Sequence, residues 1–179
     1  MAEPVEIFIT SGTEWEVPSN WNNVANTIEC IGAGGWGREN GRTGGGGGAY
    51  SKISNLALTK GITITYQVGV TGGSVGSENS LPTERHTFFN GNAIDNASVS
   101  ASGGRTGTGS TSAGVLGGQA DDGIGDVKYS GGNSGRRTVT TSGHGGAGGG
   151  GAAGPNGNGN NGVDSDSTQN GKNGGSGDA

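Results

Sequence analysis

The sequence is short of most of what builds a conventional core or an active site. Its single cysteine, Cys30, excludes an intrachain disulfide. Set among the apolar residues Ile28 and Ile31, it reads as a small buried hydrophobe rather than a reactive thiol. Only 27% of the 179 residues are hydrophobic and 5% aromatic, which is thin for an ordinary core of this length. Four prolines and a glycine frame that slips repeatedly exclude a collagen-like chain. No apolar run approaches the roughly 20 residues of a membrane span, and MAEPVEIF carries acid where a secretory signal has a basic region. The expectation is a soluble protein, with no membrane insertion, that leaves a cell by lysis or inside a larger particle. The formal charge is −5 and the pI about 4.9, so the basic surface that tracks phosphates is missing and nucleic acid is excluded as a partner. Nor does any window of eleven residues hold a helical apolar stripe free of glycine.

What the chain has is glycine, 44 residues of it. Glycine loses the most conformational entropy on folding, so an ordered glycine-rich region needs compensation from main-chain hydrogen bonds between closely packed extended segments. The spacing points the same way. Gly145, Gly148, Gly151, Gly154 and Gly157 recur every third residue, as do Gly32, Gly35, Gly41, Gly44 and Gly47 with a gap at Arg38, and Gly171, Gly174 and Gly177. Three residues make one turn of a polyproline II helix, so such spacing gives that helix a bare edge for a neighbouring backbone. Residues 145–157 read as one arm of a bundle, about 37 Å long at about 3.1 Å per residue. Glycine doublets at 103–104, 117–118, 131–132 and 145–146 lie 14 residues apart and suggest repeated arms, turns and returns.

The expected fold is all-β: a small β-sandwich-like unit at 1–101, interrupted by the glycine block 32–48, then a glycine-rich polyglycine II bundle at 102–179. Strands are expected at 5–10, 27–31, 49–53, 56–58 and most clearly 62–68, where Ile62, Ile64, Tyr66 and Val68 alternate with polar residues. Residues 88–94 read as a hairpin turning at Asn90-Gly91, and Ala97, Val99 and Ala101 alternate with serines. Short β fragments at 127–129 and 137–141 cap or bridge the arms. Trp15, Trp21 and Trp36 read as core and lid of the β unit. The pattern stops at Gly177-Asp178-Ala179 without a closing strand, so the polypeptide or assembly is expected to continue.

Catalytic patterns occur but lack their context. Gly32-Ala33-Gly34-Gly35-Trp36-Gly37 has the form of a dinucleotide fingerprint, yet it leads into more glycine instead of the helix N-terminus that would receive a pyrophosphate. Residues 72–76 match a nucleophile elbow, with only His86 and His144 available as bases. Lys172 is followed by asparagine, not the Ser or Thr of a phosphate loop. Asp121, Asp122 and Asp126, and Asp164 with Asp166, read as solvated turn carboxylates, since neither set has calcium-loop spacing. Asn96-Ala97-Ser98, a sequon in form, reads as strand residues. No enzyme, cofactor or metal is expected.

The segments IFITSGTEWEVPSNWNNVANTIECIGAGG, GGGGGAYSKI, ITITYQVG and GGGGAAGPNGNGNNG resemble the glycine-rich domain of bacteriophage tail and tail-fibre proteins. The anchors are Val17-Pro18, Ala49-Tyr50 and Tyr66-Gln67-Val68-Gly69; Glu29 and Cys30 depart from the aliphatic residues usual in that family. The resemblance implies a virion component built on polyglycine II helices and identifies no binding residues. The expectation is a non-enzymatic tail-fibre or tail-tip protein assembled in the host cytoplasm, a homo-oligomer bound to other virion proteins. Its loops 77–85, 119–126 and 163–170 would face a host glycan or outer-membrane protein through Glu78, Glu84, Arg85, Asp121, Asp122, Asp126, Asp164 and Asp166. The alternative is a capsid or tail decoration protein without a receptor.

Overall fold

The computed structural model describes residues 3–38, 43–71, 79–109, 114–138, 145–166 and 171–178. Its strands are β1 (Glu14–Glu16), β2 (Thr27–Ile31), β3 (Tyr50–Ser54), β4 (Thr63–Gln67), β5 (Thr87–Phe89), β6 (Val99–Ala101) and β7 (Val127–Tyr129). They form two antiparallel sheets, ordered β1-β4-β5-β6 and β2-β3-β7. The described residues contain no α-helix, only 3-10 turns at Thr83–Arg85 and Ala120–Asp122. The chain is all-β.

Period-2 alternation builds the core. Ile64 and Tyr66 of β4 point inward, beside Trp15 of β1 and Phe89 of β5, and Phe89 pairs in turn with Val99 of β6. Cys30, Ile28 and Ile53 of the second sheet join the same cluster, with Val17 and Leu58. Trp15 meets Trp21 edge-on at 5.6 Å and Phe89 at 5.7 Å. Trp36, by contrast, lies outside this core and is 39% exposed. Cys30 is the buried hydrophobe expected, and burial pushes its thiol up to about 12.

Three strand expectations fail for local reasons. Residues 5–10 join no sheet; Ile9 packs on the core, but Val5, Ile7 and Phe8 stay exposed, and the edge strand is β1 instead. Residues 56–58 form no strand because the amides of Leu56 and Leu58 donate to the side-chain oxygens of Asn26 and Asn23. The hairpin after β5 does turn at Asn90, whose φ is 56°, but its return strand is β6. Asn96 holds residues 92–98 in a wider loop, its Oδ1 accepting from the amides of Asn92 and Ala93.

The strands run directly into glycine segments, and there the ladder changes period. Beyond the Ile31–Tyr50 pair, the amides of Gly32, Gly35 and Arg38 donate to the carbonyls of Ala49, Gly46 and Thr43. Those of Thr43, Gly46 and Ala49 donate to Thr108, Arg105 and Ser102, and those of Gly148, Gly151 and Gly154 to Val163, Asn160 and Gly157. Each partner is met at every third residue, so one segment bonds neighbours in several directions rather than two. Segment 43–49 bonds to 32–38, 102–109, 114–119, 130–138 and 145–154. Absence of Cβ atoms permits this. A Cβ on Gly45 would lie 2.0 Å from the Gly35 carbonyl oxygen, one on Gly48 1.7 Å from that of Gly32, and one on Gly47 1.9 Å from that of Gly151.

Both parts draw on both halves of the chain. β7 pairs with β3, while 43–49 bonds to 102–109. Residues 145–157 are not one arm, since the chain reverses at 154–157, where Gly154 and Gly157 bridge. The first three doublets lie at the end nearest the strands. Gly146 lies at the other, because 130–138 runs outward and 145–154 returns, with Gly135 bonding to Gly148 and Gly132 to Gly151.

Candidate functional site

The antiparallel ladders sort the molecule into two ends. Starting from the strands, 32–38, 102–109, 130–138 and 157–166 lead away, and 43–49, 114–119, 145–154 and 171–178 return. The residues flanking 39–42, 110–113, 139–144 and 167–170 therefore share the end remote from the β sheets.

The described residues there are tied by polar side chains. The Arg136 guanidinium Nε lies 3.1 Å from an Asp164 oxygen, and Lys172 Nζ lies 2.6 Å from Asp166. Arg137 donates to the Gly109 carbonyl at 3.1 Å, joining two segments. Thr138 donates its amide to Ser165 Oγ and its hydroxyl to the Ser165 carbonyl. Asp164 accepts from the Arg136 amide at 2.7 Å, and this bond, with the guanidinium, holds its carboxyl below the usual range.

A ladder that sequence reasoning missed leads to this end. Asn158, Asn161 and Asp164 accept, through Oδ1, from the amides of Ser130, Asn133 and Arg136 at 2.8, 2.8 and 2.7 Å. The next amides, of Gly159, Gly162 and Ser165, return bonds to the carbonyls of Ser130, Asn133 and Arg136. Each step closes a small ring; Asn133 in turn accepts from the Gly117 amide at 3.0 Å, while the Ser134 amide donates to the Val115 carbonyl. The signal was the three-residue spacing of Asn158, Asn161 and Asp164, which matches the three-residue recurrence of the main-chain bonds. A groove of about 380 Å³ runs along Leu116, Asn133, Arg136, Asn161 and Asp164.

Of the eight residues expected to recognise a surface, the seven described do not converge. Asp164 and Asp166 are at the remote end. Asp121, Asp122 and Asp126 are exposed against the β unit, where Asp126 accepts from the Ser54 amide. Glu84 is exposed on a flank, its carbonyl bonded to the Val70 amide. Glu78, the 72–76 elbow and His144 lie outside the described residues. Arg85 corrects the expectation: it is 2% exposed, and its guanidinium donates to the Gly104 carbonyl at 3.2 Å. Carbonyls crowd that position as the chain crosses onto the glycine segments, so a donor-rich side chain satisfies them there. Burial lowers the Arg85 pKa, opposed by Glu84.

His86 is also buried, its Nδ1 accepting from the Gly103 amide at 3.3 Å. Burial holds its pKa below the ordinary value, with Asp122 and Glu84 pulling the other way. Residues 32–38 are extended and bonded to 43–49, so the fingerprint glycines present no helix N-terminus. Among the described residues no group of three His, Cys, Asp or Glu is placed to hold a metal ion, and no helix is long and apolar enough to cross a membrane. No protein-family model, curated protein or solved structure matches the chain.

Proposed function

We propose that this chain is a non-enzymatic virion protein of the bacteriophage tail-fibre or tail-tip kind. In this reading the β unit anchors the chain to other particle proteins, as one copy of a homo-oligomer, and the glycine segments form a rigid polyglycine II bundle. The connections at the remote end then meet a host glycan or outer-membrane protein. One observation carries the reading: four outgoing and four returning glycine segments have their adjoining ends together, remote from the sheets. A frame held by main-chain bonds tolerates changes in its connections, so recognition varies while the scaffold stays. The resemblance to glycine-rich phage tail domains supports the same reading.

The test is binding of fluorescently labelled protein to intact host cells. Replacing 39–42, 110–113, 139–144 and 167–170 with Gly-Ser connections should abolish binding without moving the unfolding midpoint. No binding by the native chain, together with particles that lose stability when it is absent, would favour a decoration protein. Turnover of a glycan, lost on changing Asp121, Asp122 or Asp126, would overturn the non-enzymatic assignment.

A further inference from the structure

We propose that residues 3–10 add as a β-strand to the open sheet edge of a partner protein whose edge is apolar and rimmed by lysine and arginine. The inference rests on the anchoring role assigned above to the β unit and names the element and chemistry of that anchorage.

The segment Val5-Glu6-Ile7-Phe8-Ile9-Thr10 is rich in β formers, yet it lies in no strand and forms no main-chain hydrogen bond with the other described residues. Unpaired strand-forming backbone is what pairs with another chain's edge. Exposure rises steadily along one set of alternating residues. Ile9 packs on the sandwich core, Ile7 is 58% exposed and Val5 is 75% exposed. The apolar row of the core thus continues past the sandwich margin into solvent. Phe8, on the alternate side, is 81% exposed.

Charge selects the partner. The first 37 residues carry Glu3, Glu6, Glu14, Glu16 and Glu29 and no Asp, Lys, Arg or His, so they hold a charge equal to the whole chain's −5 while the rest balances to zero. Glu3, Glu6 and the edge-strand pair Glu14 and Glu16 are all exposed. These four exposed carboxylates on each copy repel a second copy laid against the same segment, and they repel the phosphates of anionic lipid or nucleic acid. An apolar row between carboxylates matches a protein edge that alternates apolar and basic residues.

The experiment titrates the 179-residue chain with two synthetic β-hairpin peptides, one edged by alternating lysine and valine and one by glutamate and valine. Oligolysine and phosphatidylcholine vesicles serve as further probes. Binding to the lysine–valine hairpin alone is expected, with slowed amide exchange at residues 5–10. The triple variant Val5→Ser, Ile7→Ser, Phe8→Ser should weaken it by about tenfold or more, and Ile7→Pro, which removes a ladder donor, by a similar factor. These side chains lie outside the core, so the unfolding midpoint should not move. Equal binding to oligolysine, unchanged binding by either variant, partition into vesicles, or self-association through the segment would overturn the proposal. Absence of the chain from phage particles would sink the virion reading and leave this titration's outcome untouched.

Discussion

The two parts of this molecule close-pack by opposite means. In the β unit, side chains do the packing: Val17, Val99 and Ala101 have no exposed surface, and the sheets are held apart by what lies between them. In the glycine part, main chain lies against main chain, and ordered contact depends on side chains being absent. A methylene is stabilising in one part and obstructive in the other. The same backbone passes between the regimes at Ile31–Gly32, Ala49–Tyr50 and Ala101–Ser102, where a period of two gives way to a period of three.

The sharpest way to break this comparison is to change side-chain volume in each part. Phe89→Ala, which empties the centre of the sandwich, should cost about 3–5 kcal/mol in a urea titration. Gly48→Ala adds a single methyl group, yet its Cβ would sit 1.7 Å from the Gly32 carbonyl oxygen. Its neighbours are backbone and cannot rotate away, so the loss should reach the upper part of the range of about 1–3 kcal/mol for overpacking. If Gly48→Ala proved neutral, the close main-chain packing described here would be wrong. Asn161→Ala leaves the Asn133 amide without its side-chain acceptor and should cost about 1 kcal/mol, less if water replaces the oxygen.

A smaller effect, gated by pH, lies at the junction of the two parts. Because burial lowers the His86 pKa, the unfolded chain takes up its proton first as the pH falls. The stability this group contributes is complete above the ordinary histidine range and drains as pH drops through about 6.5 towards the folded value. Unfolding midpoints measured between about pH 7.5 and about pH 5.5 should fall less steeply in His86→Gln than in the native chain. Last, Gly171→Ala, whose Cβ would meet nothing within 4 Å among the described residues, should stay within about 0.5 kcal/mol of the native chain. It separates the effect of crowding from that of glycine itself.

Particular residues show how much was legible beforehand. The alternation at 62–68 identified β4 because half-burial imposes a period of two on the sequence itself. The every-third glycines coincide with the every-third bonds: Gly148, Gly151 and Gly154 all face one neighbour. Residues 5–10 misled because strand composition states a capacity, and here no described strand pairs with them. Arg85 misled because a charged residue between loops reads as exposed until the carbonyls around it are known. The site was less legible than the fold. Asp121, Asp122 and Asp126 are near Asp164 and Asp166 in chemistry and far from them in space.

By itself the sequence determined that the chain is all-β and that its glycine segments repeat in threes, because periodicity is local and each residue's size is written in it. Only the tertiary structure decided which segments are neighbours, that β7 completes the sheet begun by β2 and β3, and that the described residues flanking 39–42, 110–113, 139–144 and 167–170 share one end. Glycine carries no side chain to specify a partner, so one glycine segment's choice among many is set by the strands that feed it and by the lengths between them.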